Sequence, residues 1–252
     1  MERFHLNGYI VEYYYKPSEN NYELKDAVNF IGSKCFETIP NYQCFKSFEN
    51  KVIVLLKNSE NLPLAFASGI LLNIKEVGTV LHSGLVSILP EHRNKGFLMM
   101  IYYVLVGRTL AKLAENQKIY LTNLSCDLGI LRFFGKFVDS VYPSPDFKGR
   151  IGELPLYIAN QINENFREEM YILKDAIFNP HTFVFSGSIK DTVFSKNVLT
   201  NKHSRDTEFY LNLLDYDNGD ELLQIGFLDQ QLFEERKKIL QRFGNIDVPI
   251  LV

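Results

Sequence analysis

Apolar residues recur at two periods along this chain, and the change from one period to the other lays out most of its elements. Residues 3–16, "RFHLNGYIVEYYYK", are rich in aromatic and branched side chains and read as a strand. "NYELKDAVNFIGSKCFETIP" places Leu24, Ala27, Val28 and Ile31 at helical spacing, with Pro40 just beyond its end. "KVIVLLKN" and "PLAFASGILLNI" follow as strands around the turn-rich link "SENLP", and "GTVLHSGLVSIL" is a third. A helix from Phe97 to about Glu115 comes next, then the short strand "KIYLTNL". "LGILRFFGKFVDSVY" reads as one more helix, with Asp127 as its N-cap and "PSP" as its stop.

The order β-α-β-β-β-α-β-α implies a mixed sheet. Three consecutive strands suit an antiparallel meander, and the later β-α-β crossover needs a parallel pair. The fold class is therefore α/β (α+β) with helices on a mixed sheet, and a C-terminal extension follows. The domain division places a core in residues 1–145 and the extension in 146–252. In the extension, "LPLYIANQINENFREEMYILKDAIF" reads as helix and "HTFVFSGSI" as strand. "EFYLNLLDYDNGDELLQIGFL" reads as two strands around Asn218-Gly219, and "QQLFEERKKILQRF" as a terminal amphipathic helix.

Composition narrows the function. The 252 residues are 46% hydrophobic, and 20 Phe and 14 Tyr with no Trp allow a large aromatic core. A formal net charge of -3 argues against nucleic acid or an anionic membrane as the main partner, so any anion site must be local. Cys35, Cys44 and Cys126 form no C-x-x-C spacing, which points to a reducing, cytoplasmic setting. The N-terminus has no apolar signal-peptide core, and the uncharged helical run Gly96 to Gly107 is short of the roughly 20 residues of a spanning helix. His5, His82, His92, His181 and His203 are too scattered for ligand spacing, so no metal is expected. "DYDNGDE" has its glycine fifth from Asp215 rather than sixth, and Gly226 twelfth, so a turn explains it better than an EF-hand.

The chemistry concentrates in "VSILPEHRNKGFLMMIYYVLVGR", Val86 to Arg108. A strand stops at Pro90, a short basic segment turns at Gly96, and a helix begins. Unpaired N–H groups and partial positive charge at a helix mouth favour phosphate, and glycine lets backbone approach it closely. No G-x-x-x-x-G-K-[ST], G-x-G-x-x-G or G-x-S-x-G is present, which removes P-loop, dinucleotide and hydrolase readings.

"ILPEHRNKGFL" resembles the acetyl-CoA-binding segment of the GNAT superfamily of N-acetyltransferases, Q/R-x-x-G-x-G/A, with Arg93 and Gly96 in place and Leu98 departing at the last small position. The strand order from Tyr9 to about Tyr142 matches that family too. The resemblance implies acetyl-CoA, or another acyl-CoA, as cosubstrate and an amine, small molecule or peptide, as acceptor. It implies backbone N–H groups from Arg93, Asn94, Lys95, Gly96, Phe97, Leu98 and Met99 around the pyrophosphate. The pantetheine arm would pair near Val86 and Ile88, with Asn123 contacting it, and the strand from Tyr120 would splay to open a cleft. A base would come from His82, Ser83 or Glu76, with His82 best by its near-neutral titration. The family's acid tyrosine falls where this chain has Phe133 and Phe134, leaving Ser125, Cys126, Tyr142 or solvent to supply the proton. The alternatives are a GNAT-like protein that binds CoA or another ligand without turnover and a protein-interaction module. A homodimer is common in proteins of this kind.

Overall fold

The computed structural model describes residues 1–36, 47–113, 118–189 and 205–236. Cys44, His203, Glu115, Pro40 and the end of the expected terminal helix lie outside them; residues 230–236 are helical. The chain divides into two units. One holds the described residues of Met1–Leu71, Gly84–Ile119 and Asp229–Val252, the other those of Leu72–Ser83 and Tyr120–Leu228.

The first unit is an antiparallel meander. Strand β1 (Glu2–Leu6) pairs with β2 (Tyr9–Tyr15), β2 with β3 (Lys51–Lys57), and β3 with β4 (Pro63–Ile74). The expected single strand over residues 3–16 is thus a hairpin. Asn7 and Gly8 take φ of 50° and 81°, the left-handed pair that a two-residue turn between twisted strands requires. Helix α1 (Tyr22–Cys35) starts where the Asn21 side chain accepts from Leu24 N, and it buries Leu24, Ala27, Val28 and Ile31 as the spacing predicted. Helix α2 (Phe97–Leu113) is apolar on nearly every side because it is covered on more than one. It packs on β2 and β3, with Tyr13 and Thr109 hydroxyls 3.1 Å apart, and Tyr103 stacks on Phe233 at 4.7 Å. Alternation puts Glu12 on the opposite face from Tyr13, and α1 is tied to that face through Glu23 and Lys57.

Strand β5 (Gly78–Ile88) returns from β4 through a turn at Lys75–Val77, and Leu89 N bonds Leu64 O at 3.0 Å. Its first part runs through the second unit, parallel to β6 (Ile119–Ser125): Leu81, His82 and Ser83 pair with Leu121, Thr122 and Asn123. The order there is β5-β6-β10-β9-β8, with β10 at Glu221–Leu228, β9 at Val184–Ser186 and β8 at Ile177–Asn179. The chain is therefore α/β with a mixed sheet, as expected. Asp127 caps α3 (Leu128–Phe137) by accepting from Ile130 N at 2.9 Å.

Three expectations fail in this unit. Residues 128–142 are not one helix: α3 stops at Phe137, and Asp139–Tyr142 form β7, paired with β10 at Ile225↔Tyr142. The long helix read from residue 154 to 178 is α4 (Glu153–Asn165) alone, after which Arg167 gathers the carbonyls of Leu173, Lys174 and Ala176. The hairpin expected around Asn218-Gly219 does not form. Arg205–Leu211 is helix α5, whose Thr207 and Tyr210, with Leu214 beyond it, are buried at helical spacing. Tyr210 and Leu214 join a core with Leu128, Leu131 and Leu222, and β10 takes β9 as its partner. A packed helical face outweighs a local turn signal.

Candidate functional site

A basic loop at a helix mouth

Strand β5 runs out at Ile88 into a single 3-10 turn, Pro90–His92. The proline sits where a first-turn N–H would have no partner anyway. Asn94 and Gly96 then take φ of 61° and 78°, the left-handed conformations that Asn tolerates and Gly adopts freely. The Gly96 carbonyl accepts from Met99 N at 3.1 Å and Met100 N at 3.3 Å, so the loop itself starts α2. Phe97 fixes it in place, its buried ring edge-on to Tyr9 at 4.9 Å.

The outer side of this loop is open. A Cβ built on Gly96 meets no atom within 4 Å. Arg93, Asn94 and Lys95 are exposed, Leu98 and Met99 half-buried. Lys95 Nζ stands 3.4 Å from His92 Nδ1. Geometry leaves the first-turn N–H groups of α2 without partners inside the helix, and its dipole adds partial positive charge beside the two basic side chains. That arrangement suits a phosphate or another anion.

Behind the loop, two groups converge on the last carbonyl of β5. Arg93 Nε donates to Ile88 O at 3.2 Å, and the Cys35 thiol donates to the same oxygen at 3.4 Å. Burial pushes the Cys35 thiol up, against the pull of the Arg93 guanidinium. Cys35 was not singled out by sequence; nothing local links the end of α1 to this strand. Along β5, residues Val80–Ser83 are buried, whereas Gly84, Leu85, Val86 and Ile88 are each partly exposed. Ser68 Oγ donates to Leu85 O at 3.1 Å, and a Cβ on Gly84 would fall 2.7 Å from that hydroxyl.

Polar groups of the second unit

His82 is 4% exposed, and its Nδ1 lies 2.9 Å from the buried Thr122 Oγ1, its cross-strand partner. Ser83 is also buried. Glu76 stands apart in the turn before β5, with φ 66° and its exposed carboxylate 4.0 Å from Lys75 Nζ. Asn123 is 3% exposed and donates to Gln224 Oε1 at 3.4 Å. Gln224, fully buried on β10, donates in turn to Pro143 O and to the Tyr210 hydroxyl, both at 3.1 Å. The signal for Gln224 was a lone amide inside the apolar run "ELLQIGFL".

Phe134 is buried within α3, and Phe133 stacks on Phe137 at 5.6 Å, so α3 carries no hydroxyl at these positions. A phenol does reach this helix, from α5: Tyr210 O–H donates to Leu131 O at 3.4 Å and stands 3.4 Å from where a Gly135 Cβ would be. Burial pushes Tyr210 up to about 12. The Tyr142 hydroxyl is taken by His181 O. Ser125 Oγ accepts from Asp127 N at 3.0 Å. Cys126 is 3% exposed, and burial first, then Glu221 and Asp127, push its thiol to about 12.

Among the described residues no three His, Cys, Asp or Glu side chains gather as a metal site, and no helix is long and apolar enough to cross a membrane.

Similarity to known proteins

No family model and no curated protein matches the chain. Solved structures do. A ribosomal-protein-S5-alanine acetyltransferase from Vibrio fischeri is similar over 91% of this chain and 98% of its own, at 10% identity and a TM-score of 0.42. Escherichia coli ElaA is similar over 56% of this chain and 93% of its own, at 11% identity and a TM-score of 0.39. A fungal multi-domain GH3 β-N-acetylglucosaminidase with a GCN5-related glucosamine N-acetyltransferase region is matched over 45% of this chain, at 13% identity and a TM-score of 0.35. That match spans only 13% of the fungal protein. Each is a distant resemblance in fold.

Proposed function

We propose that this protein is an acyl-CoA-dependent N-acyltransferase, most simply one that moves acetyl from acetyl-CoA to a primary amine. The observation that carries the proposal is the loop Arg93–Phe97. It is open, basic and left-handed at Asn94 and Gly96, it sits at the mouth of a 17-residue helix, and it follows a strand whose last residues are partly exposed. In this reading the N–H groups from Arg93 to Met99 hold the CoA pyrophosphate. Gly84–Ile88 offers backbone to the pantetheine amides near Val86 and Ile88. His82 or Glu76 assists loss of the amine proton.

Turnover needs a proton for the leaving thiolate. Phe133 and Phe134 fall near the place where the resembling family has a tyrosine, and the missing hydroxyl favours a second reading, in which acyl-CoA is bound without transfer. One experiment orders the two. Calorimetry with acetyl-CoA should give micromolar binding to the wild type, lost in a folded Arg93→Glu, Gly96→Glu double variant. Absence of binding to acetyl-CoA, CoA and a longer acyl-CoA would overturn both readings. Binding without thiol release across an amine screen would leave the second.

A further inference from the structure

The segment after β10 is an element that the proposed transfer does not use. Asp229 starts a helix that runs through residues 230–236: its Oδ1 accepts from Leu232 N and its carbonyl from Phe233 N, both at 2.9 Å. That cap is local, so the helix carries its own start with it. Phe233 seats it within the first unit. The ring is 2% exposed and stacks on Tyr103 of α2, with centroids 4.7 Å apart and planes 20° from parallel.

The seat leaves one polar atom unsatisfied. Tyr103 is 1% exposed, and its buried hydroxyl has no hydrogen-bond partner among the described residues. Further along the same helix Thr109 is satisfied, donating to Leu105 O at 2.6 Å and meeting the Tyr13 hydroxyl at 3.1 Å. A phenylalanine at 103 would make the same stack with no polar atom to bury. The hydroxyl gives up its bonds to water and gains none in the closed arrangement, which calls for a reason other than packing.

We propose that residues 229–236 are a strap poised to lift from α2, and that the unpaired Tyr103 hydroxyl keeps its seat shallow. Closed, Phe233 covers Tyr103 and the hydroxyl goes without a partner. Open, water supplies that partner, while both rings lose their apolar cover. The hydroxyl therefore brings the two states closer in free energy than an all-apolar seat would leave them. Tyr103 lies one turn along α2 from Met99, which is half-buried at the helix mouth, so lifting the strap uncovers this flank of α2 without unfolding the meander.

Native-state hydrogen exchange on the full chain reads the strap at the Leu232 and Phe233 amides and the meander at Val54 and Leu55 of β3. A short helix in a protein owes its protection chiefly to packing, so exchange at the first pair follows docking. In the wild type that pair should exchange at least about a hundredfold faster than the β3 pair, with a smaller dependence on denaturant. Tyr103→Phe keeps the ring and removes the hydroxyl, and it should slow strap exchange by about tenfold. Phe233→Leu removes the stacked ring and should speed it. Strap amides that exchange together with β3, or that are no slower in Tyr103→Phe, would overturn the proposal. Should that variant not fold, unchanged strap exchange in Phe233→Leu would do the same.

Discussion

Lys57 Nζ lies 3.0 Å from Glu12 Oε2 with both side chains almost wholly inside the first unit, 3% and 1% exposed. The pair is not isolated. Tyr14 O–H donates to the same carboxylate oxygen at 2.8 Å, Arg3 Nε to the other at 3.0 Å, and Lys57 also reaches Glu23 at 3.1 Å. Two ions that would be costly alone are held by three further partners, Arg3 on β1, Tyr14 on β2 and Glu23 on α1.

Removing one partner should therefore cost more than the pair itself contributes. Glu12→Ala leaves the Lys57 ammonium buried and should destabilise the fold by about 3–5 kcal/mol, measured by urea unfolding. Glu23→Ala, at the exposed end of the network, should cost less than about 1 kcal/mol.

The same network sets an acid limb. Burial raises Glu12, but bonds from Tyr14, Lys57 and Arg3 outweigh it and hold the group below its ordinary 4.5. A depressed carboxylate contributes stability that is present above 4.5 and lost as pH falls through the folded value. Thermal melts below pH 4.5 should lose less stability in Glu12→Gln than in the wild type. An identical acid slope would place the acid sensitivity elsewhere.

Two glycines with positive φ should respond differently to alanine. Gly96 has open space where its Cβ would lie, so Gly96→Ala meets only backbone strain, about 1 kcal/mol. Gly219 has the Ile189 carbonyl oxygen 1.8 Å from the same point, and Gly219→Ala should cost about 3 kcal/mol or more. Chemical denaturation of the two variants checks the ratio.

The catalytic role proposed for His82 is open to test by substitution. His82→Gln should lower kcat by about 10²–10⁴ while acetyl-CoA affinity stays unchanged. A lower melting temperature with unchanged kcat would instead make His82 and Thr122 a structural pair of the β5–β6 ladder.

The sequence by itself determined what short-range physics controls. Asn21 and Asp127 cap their helices because an N-cap needs only a side-chain oxygen three residues from a free N–H. Strands β3, β4 and β5 followed from branched and apolar runs bounded by turn residues. The Arg93–Gly96 loop showed in a proline, a glycine and two basic residues between strand and helix. Only tertiary structure decided the rest. "DSVY" is a strand because β10, more than 80 residues later, supplies its hydrogen bonds, with Ile225 opposite Tyr142. "RDTEFYL" is a helix because Tyr210 and Leu214 bury one face against Leu131. Cys35 meets Ile88, Gln224 meets Asn123, and Glu12 meets Lys57 across separations that no local window spans. Each of those polar groups survives burial only because a distant partner satisfies it, and such partners become visible when the chain has closed.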